Sequence, residues 1–551
     1  MNERYTVGQY LVDRLHQLGL DHLFSIAGDY SIDWLNRYVT PSSIEIIEEV
    51  NEVNAGYAAD GYARLKGIGA LCVTYSAGAL CAVNAVAGAY VEKVPLVLIN
   101  GTPSIKRTLT FEQTGFSSHH FISGRETDRQ SFEHITVATV RIDNPDLAPL
   151  EIDYALTQCI SERRPVYVEL LEDMVDLECE PPRGVLKPAR VLSDEVSLEQ
   201  SVAQICAKLD SAENPLIWVG VEIDRLGLQD KAMSLIRQLN VPFVTELMSK
   251  SVLPEDDPHF FGVLDGQASS AAVADLVKRS DFTLALGVWL TDINSLGWDP
   301  DFDTTAFASM DAVKLGTYFG GQVALEHLID GILEKRLAPK VWSVPEKPVY
   351  GAPTTASTDQ ITYQGFYDFV QQYIDEDTIV GSDSSLNYFG SLLLDVPGQG
   401  AFVAQSSYSS IGYIAAAATG LCLAKGPSRR VMVFSGDGGF QMTAQCLSTQ
   451  TRFKLNPVIF VIDNGVYGVE QWLADSTVFH TDKPFYESCV LHPWNYSKLA
   501  DVFGCRGWKV STYGELQDAV AGALANSTSP SIIQVVVPDK SIPDNAEWKT
   551  Q

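Results

Sequence analysis

Two polar residues stand at the ends of two apolar runs, 27 positions apart: Asp437, in Gly436-Asp437-Gly438-Gly439, and Asn464, in Asp463-Asn464-Gly465. The run Val431 to Ser435 and the run Pro457 to Ile462 both read as buried parallel strands. The carboxyl ends of such strands are where open α/β sheets bind ligands. One carboxylate with one amide oxygen suits a hard divalent ion such as Mg²⁺, whose other ligands are phosphate oxygens and water. Gly436, Gly438 and Gly439 let the backbone turn tightly and approach a ligand, and the start of the helical stretch that follows can receive phosphate. Read alone, Gly-Asp-Gly is an ordinary strand-to-helix turn; its pairing with Asn464 makes it a candidate site. His119 and His120 are adjacent in a polar stretch, Phe116 to Gly124. Imidazoles titrate near pKa ~6.5 and can take or give protons near neutral pH. The pair also fits a solvated loop or half a metal site, but no second metal-spaced cluster accompanies it.

The elements that must position these groups alternate strand and helix. Thr6 to Leu18 has helical spacing, with Thr6 as N-cap and Gly19 as C-cap. Leu23 to Ile26 reads as a strand leading into Ala27-Gly28-Asp29. Ile44 to Val50 leads into Asn51-Glu52-Val53-Asn54 and a small-residue helix. Ala70 to Tyr75 is a strand ending at Ser76-Ala77-Gly78, followed by one helix through Tyr90 and the strand Val94 to Asn100. Ser76 to Pro95 and Gly438 to Pro457 both span 19 positions, a weak internal repeat that suggests two domains of like fold; a chance likeness of two βαβ units is the alternative.

Proline-marked linkers, roughly Asp176 to Ser193 (Pro181, Pro182, Pro188) and Leu337 to Asp359 (Pro339, Pro345, Pro348, Pro353), divide the chain. Three domains of parallel-sheet α/β type are expected, over 1–175, 194–336 and 360–551. In the middle one Pro215 to Val219, Val241 to Thr245 and Phe282 to Leu286 are strand-like.

A chain of 551 residues is too long for one core. Its net charge of −30 argues against nucleic acid or an anionic membrane as partner. The nine cysteines are scattered without a C-x-x-C pair, several of them in apolar runs, which reads as buried free thiols in a reducing compartment. The amphipathic N-terminus has no secretory apolar core, and no apolar run reaches ~18–20 residues. A cytoplasmic protein is expected.

The stretch from Arg430 to Glu470 resembles the diphosphate-binding motif of thiamine diphosphate enzymes. Four further matches place the resemblance in the pyruvate/2-oxoacid decarboxylase branch, over nearly the whole chain. They are Ala27-Gly28-Asp29; Asn51-Glu52-Val53-Asn54-Ala55 with Asp60-Gly61-Tyr62-Ala63-Arg64; His119-His120; and Tyr467-Gly468-Val469-Glu470. The family often has Asn-Asn where this chain has Asp463-Asn464, and usually Gly at Val466.

The resemblance implies thiamine diphosphate and Mg²⁺ as cofactors. Asp437, Asn464 and the Val466 carbonyl are the implied metal ligands. Glu52 faces the pyrimidine N1′ and promotes loss of the C2 proton. Asp29, His119, His120 and Glu470 form a proton relay that protonates the carbon left by CO₂ and helps release the aldehyde. Ile411, with its N–H and the Ser409 carbonyl, props the cofactor in a bent shape, and Ser384 lies near the diphosphate. Ile293, Leu386, Val469 and Leu473 fall on the substrate side. There aliphatic side chains in place of bulkier ones imply room for a branched, longer aliphatic or aromatic 2-oxo acid.

The first and third domains are implied to share the cofactor-binding fold, with active sites between subunits of a homodimer at minimum, and a homotetramer as the fuller assembly. Competing readings are a pyruvate decarboxylase, an acetolactate-forming carboligase and a non-catalytic cofactor-binding protein on this fold. A dinucleotide-binding protein lacks its G-x-G-x-x-G here.

Overall fold

The computed structural model describes residues 4–189, 191–297, 299–341, 356–426 and 428–550. The linker prolines Pro345, Pro348 and Pro353 lie outside them.

Helix Val7–Gln17 opens the fold, with the Thr6 hydroxyl accepting from the Gln9 N–H and Gly19 just beyond its end at φ +89°. Its apolar stripe, Val7, Leu11 and Leu15, is fully buried. The first sheet comprises β1 (His22–Ser25), β2 (Glu45–Glu48), β3 (Gly69–Thr74), β4 (Leu96–Thr102), β5 (Ala138–Ile142) and β6 (Val166–Leu171), in the order β2-β1-β3-β4-β6-β5. All its pairings are parallel. Strands β3, β4 and β6 are buried almost end to end, as expected where helices cover both faces.

The middle sheet comprises β7 (Pro215–Val219), β8 (Phe243–Thr245), β9 (Phe260–Val263), β10 (Phe282–Leu286), β11 (Thr305–Ala308), β12 (Ala312–Leu315) and β13 (Tyr318–Gly321). Its order is β13-β12-β11-β10-β7-β8-β9. Parallel pairing holds from β11 to β9, but β12 and β13 form an antiparallel edge. The turns between them are too short for the crossover a parallel strand requires.

The third sheet comprises β14 (Thr378–Ser382), β15 (Phe402–Ala404), β16 (Arg430–Gly436), β17 (Val458–Asp463), β18 (Arg506–Val510) and β19 (Ser531–Val536), ordered β15-β14-β16-β17-β19-β18. Position for position this is the order of the first sheet, so the repeat hinted at by spacing extends to topology. Strands β3 and β4 correspond to β16 and β17. Each pair is bridged by two short helices where one was expected: Ala77–Cys81 and Val83–Val91 in one case, Asp437–Thr443 and Cys446–Arg452 in the other.

The first and third domains are joined by the helices Glu52–Lys66 and Tyr413–Ala424, which cross at glycines. A Cβ on Gly61 would lie 2.5 Å from the Ala417 carbonyl oxygen, and one on Gly420 would lie 1.8 Å from that of Ala58. Beside the crossing, Arg64 pairs with Asp60 at 2.7 Å, with both side chains nearly fully buried. Glu92, 3.7 Å away, and the Ala404 carbonyl complete the surroundings of the guanidinium.

Among the described residues no helix is long and apolar enough to cross a membrane. The nine cysteines are free; Cys72, Cys159, Cys206, Cys422, Cys446 and Cys489 are buried, while Cys81 is exposed.

Candidate active site

Asp437 begins the helix that follows β16, and Asn464 follows the neighbouring parallel strand β17. The Asp437 carboxylate is buried. Its Oδ1 accepts from the Gly438 N–H at 2.8 Å and its Oδ2 from the Gly465 N–H at 2.7 Å. Burial pushes this carboxyl up to about 7, against the lowering effect of those N–H donors. A buried carboxylate so placed is stabilised as the anion by a bound cation.

The surrounding backbone leaves a cradle that side chains would fill. A Cβ on Gly438 would sit 2.3 Å from the Tyr467 ring, and one on Gly439 would sit 2.3 Å from Asp383 Oδ2. Gly436 has only Ser385 nearby, at 3.5 Å. Val466 is buried and bridges to Val490, and Asn464 is half-buried with its Oδ1 accepting from the Val466 N–H. Carboxylate, amide oxygen and backbone carbonyl are an all-oxygen set of the kind hard divalent cations prefer. These residues fit a Mg²⁺-bound diphosphate.

The turn before helix Tyr413–Ala424 places Ile411 half-exposed, and Ser409 adopts φ +55°. Non-glycine residues seldom sit there. Asp383, absent from the sequence reading, ties this turn to the end of β16: its carboxylate accepts from the Gly412 N–H at 3.2 Å and from the Ser435 hydroxyl at 2.9 Å. Burial raises its carboxyl to about 6. The neighbouring Ser384 hydroxyl contacts the Tyr388 hydroxyl and donates to the Gln405 carbonyl. Ser409 and Ile411 line a cleft of about 680 Å³ together with Asn51, Val53 and Asn84.

The second group lies at the carboxyl edge of the first sheet. Asp29 follows β1, and its Oδ2 is 2.8 Å from His119 Nε2. The His119 and His120 rings meet edge to face with centroids 4.6 Å apart, Tyr30 stacks on His119, and Tyr75 stands edge-on to His120. His120 holds φ +66°, and the Tyr75 hydroxyl donates to the His119 carbonyl.

Glu52 is the first residue of its helix, which is capped by the Asn51 side chain accepting from the Asn54 N–H at 2.8 Å. Glu52 is half-buried and faces the turn after β3: a Cβ on Gly78 would lie 3.2 Å from its Oε1. The Thr74 hydroxyl in the same corner is buried and has no hydrogen-bond partner among the described residues. Its Cβ lies 2.5 Å from where a Cβ on Gly28 would stand, which explains the glycine beside Asp29.

Glu470 lies exposed in the first turn of helix Gly468–Asp475. Among the described residues no hydrogen bond or ion pair joins it to the Asp29–His119–His120 group. Leu386 is fully buried in the core of the third domain, where Val469 and Trp548 pack against the same cluster. Leu296, from the middle domain, is part of that cluster too. Leu473 is 46% exposed, and Ile293 sits half-buried in the short helix Asp292–Ser295.

Models of the thiamine pyrophosphate enzyme match the chain in three segments: the N-terminal TPP binding domain over residues 5–124, the central domain over 202–334 and the C-terminal TPP binding domain over 386–535. The chain belongs to the thiamine diphosphate-dependent 2-oxoacid decarboxylase family. It is 31% identical over 560 residues to the alpha-keto-acid decarboxylase of Mycolicibacterium paratuberculosis, covering 98% of this chain and 95% of that one. A Schizosaccharomyces pombe protein named as a probable pyruvate decarboxylase is 28% identical over 558 residues, with 96% and 92% covered. In fold the chain is similar to benzoylformate decarboxylase from Polynucleobacter necessarius, with a TM-score of 0.81 at 18% identity over 98% of this chain and 100% of the other. Family membership and the paired sheet topology agree: the first and third domains are the TPP binding domains, and each candidate group sits at the carboxyl edge of one of them.

Proposed function

We propose that the protein catalyses the non-oxidative decarboxylation of a 2-oxo acid to an aldehyde and CO₂, using thiamine diphosphate and Mg²⁺. When bound, thiamine diphosphate supplies the electron sink that makes loss of CO₂ from a 2-oxo acid feasible. Asp437, Asn464 and the Val466 carbonyl would hold the metal. Gly436, Gly438 and Gly439 would admit the diphosphate, with Ser384 beside it, and Ser409 and Ile411 would fix the pyrimidine. Glu52 would set the protonation state of the pyrimidine.

The observation that carries decarboxylation over carboligation is the 2.8 Å contact of the Asp29 carboxylate with His119 Nε2, beside His120, at one sheet edge. Imidazoles placed beside a carboxylate can serve as acid and base toward a reacting group. An aldehyde-forming enzyme needs such groups, whereas a carboligase must keep the reacting carbon unprotonated. The relative from M. paratuberculosis is named an alpha-keto-acid decarboxylase, which supports this reading.

Glu470 stands in the third domain, and among the described residues no hydrogen bond or ion pair joins it to Asp29, His119 or His120. A site completed by the neighbouring subunit reconciles the two groups, so a homodimer is the minimal working unit and a homotetramer is compatible with it. Branched, longer aliphatic or aromatic 2-oxo acids are the proposed substrates, because aliphatic Val469 and Ile293 stand where the family resemblance implies bulkier side chains. Pyruvate is the second reading, favoured by the name of the S. pombe relative.

The test is incubation of the protein with thiamine diphosphate, Mg²⁺ and a panel of 2-oxo acids, with product analysis. Aldehyde and CO₂ in equal amounts are expected. Acetolactate-type condensation products as the main output, or no turnover of any 2-oxo acid, would overturn the proposal.

A further inference from the structure

Ser76 joins β3 to the helix Ala77–Cys81 at φ +51° and ψ −81°. This conformation is the γ-turn region that L-residues rarely hold, and such a residue persists only when its surroundings over-determine it. The surrounding group is Asp128, buried in the first turn of helix Thr127–Phe132. One carboxylate oxygen accepts from the Ser76 backbone N–H and the other from the Ser76 hydroxyl at 2.9 Å. Asn100 donates to the first at 3.0 Å and to the Tyr167 hydroxyl at 2.7 Å; Tyr167 donates in turn to Glu169. Glu169 is anchored by Arg141 at 2.7 Å. The clamp is therefore rooted in the sheet itself, through β4, β5 and β6.

The residues on either side of Ser76 face the two halves of the first-domain site. On one side Tyr75 donates to the His119 carbonyl and stands edge-on to the His120 ring. On the other, Gly78 abuts the Glu52 carboxylate. We infer that Asp128 is a positioning residue for catalysis: by holding Ser76 in its left-handed conformation, it sets Tyr75 under the His119–His120 loop and the Gly78 backbone against Glu52. The inference rests on the decarboxylase reading, since it gives the histidines and Glu52 their roles.

The test compares Asp128→Asn with the double variant Asp128→Asn/Ser76→Gly, both as full-length protein loaded with thiamine diphosphate and Mg²⁺. Asparagine keeps the shape but cannot accept from Ser76 twice and from Asn100 as well. Glycine adopts the required φ without a clamp. A displacement of about 1 Å at a reacting group costs on the order of a hundredfold. Asp128→Asn is therefore expected to lower kcat by about ten- to a hundredfold with little change in KM, and to speed amide hydrogen exchange in residues 116–124. The double variant is expected to recover most of both. Hydrogen exchange is read on the apoprotein as well, so it reports the clamp even if no 2-oxo acid is turned over. Unchanged kcat and exchange in Asp128→Asn would overturn the inference, as would a double variant no better than the single. If Asp128→Asn fails to fold, recovery of folding and turnover in the double variant supports the clamp; a double variant that is equally unfolded sinks it.

Discussion

The Asp437 carboxylate accepts a hydrogen bond from the Gly465 backbone N–H at 2.7 Å. The loop after β16 is thereby tied to the loop after β17, and the candidate ligands on both are brought to one sheet edge. The Asp437 side chain thus has two tasks, bracing the corner and carrying the charge. Asp437→Ala is expected to abolish Mg²⁺-dependent retention of thiamine diphosphate. Cofactor that stays with the variant through gel filtration in excess chelator would count against the assignment.

Among the described residues the Glu52 carboxylate caps no backbone group, and it faces the turn after β3. Glu52→Gln should therefore fold normally and bind the cofactor while C2 deprotonation slows by about two to four orders of magnitude, the usual range for a lost acid–base group. Hydrogen–deuterium exchange at C2 of the bound thiamine diphosphate is the readout. A wild-type exchange rate would remove Glu52 from the mechanism.

Val469 is half-buried against the cluster that contains Leu386, and each added buried methylene is worth about 0.8 kcal/mol. In kcat/KM, 2-oxoisovalerate, 2-oxohexanoate and phenylpyruvate should exceed pyruvate. Val469→Ile should shift the ranking toward smaller acids by roughly tenfold, the low end of discrimination by one such group. Pyruvate ranking first in the wild type would refute the pocket argument and leave the decarboxylase proposal standing. Because Leu386 is itself core, Leu386→Ala should mainly destabilise, by about 2–5 kcal/mol.

Asp265, between β9 and β10, is buried, and among the described residues its Oδ1 has no hydrogen-bond partner. Burial pushes its carboxyl up to about 8 from an ordinary value of 3.8. The folded state therefore holds a proton that the unfolded chain releases, so the stabilising contribution is complete below the unfolded value and is lost as pH rises through the folded one. Asp265→Asn should match wild type in thermal midpoint only below about pH 4 and exceed it increasingly from there toward pH 8. Parallel midpoints across that range would show that Asp265 is ionised at neutral pH in the folded protein.

The amino-acid sequence by itself determined the features whose causes are local. The helix from Val7 was legible because its apolar residues recur at helical spacing and Thr6 can cap it. The strands leading to Asp437 and Asn464 were legible because a doubly covered parallel strand is a continuous apolar run bounded by turn residues. The motif resemblances were legible for the same reason: each lies in a few consecutive positions at a strand end.

Tertiary structure alone decided what depends on residues distant in the chain. The hold of Asp128 on Ser76 spans 52 positions, and in isolation Asp128 reads as a helix-start acid. Asp383 and Thr74 owe their placement to the meeting of neighbouring loops, and Asp265 owes its neutral carboxyl to burial that no local pattern encodes. The shared strand order of the first and third sheets and the antiparallel edge of the middle one are also facts of assembly. Strand pairing is set by which apolar faces cover one another and by whether a connection is long enough to cross over, and side-chain periodicity alone carries neither.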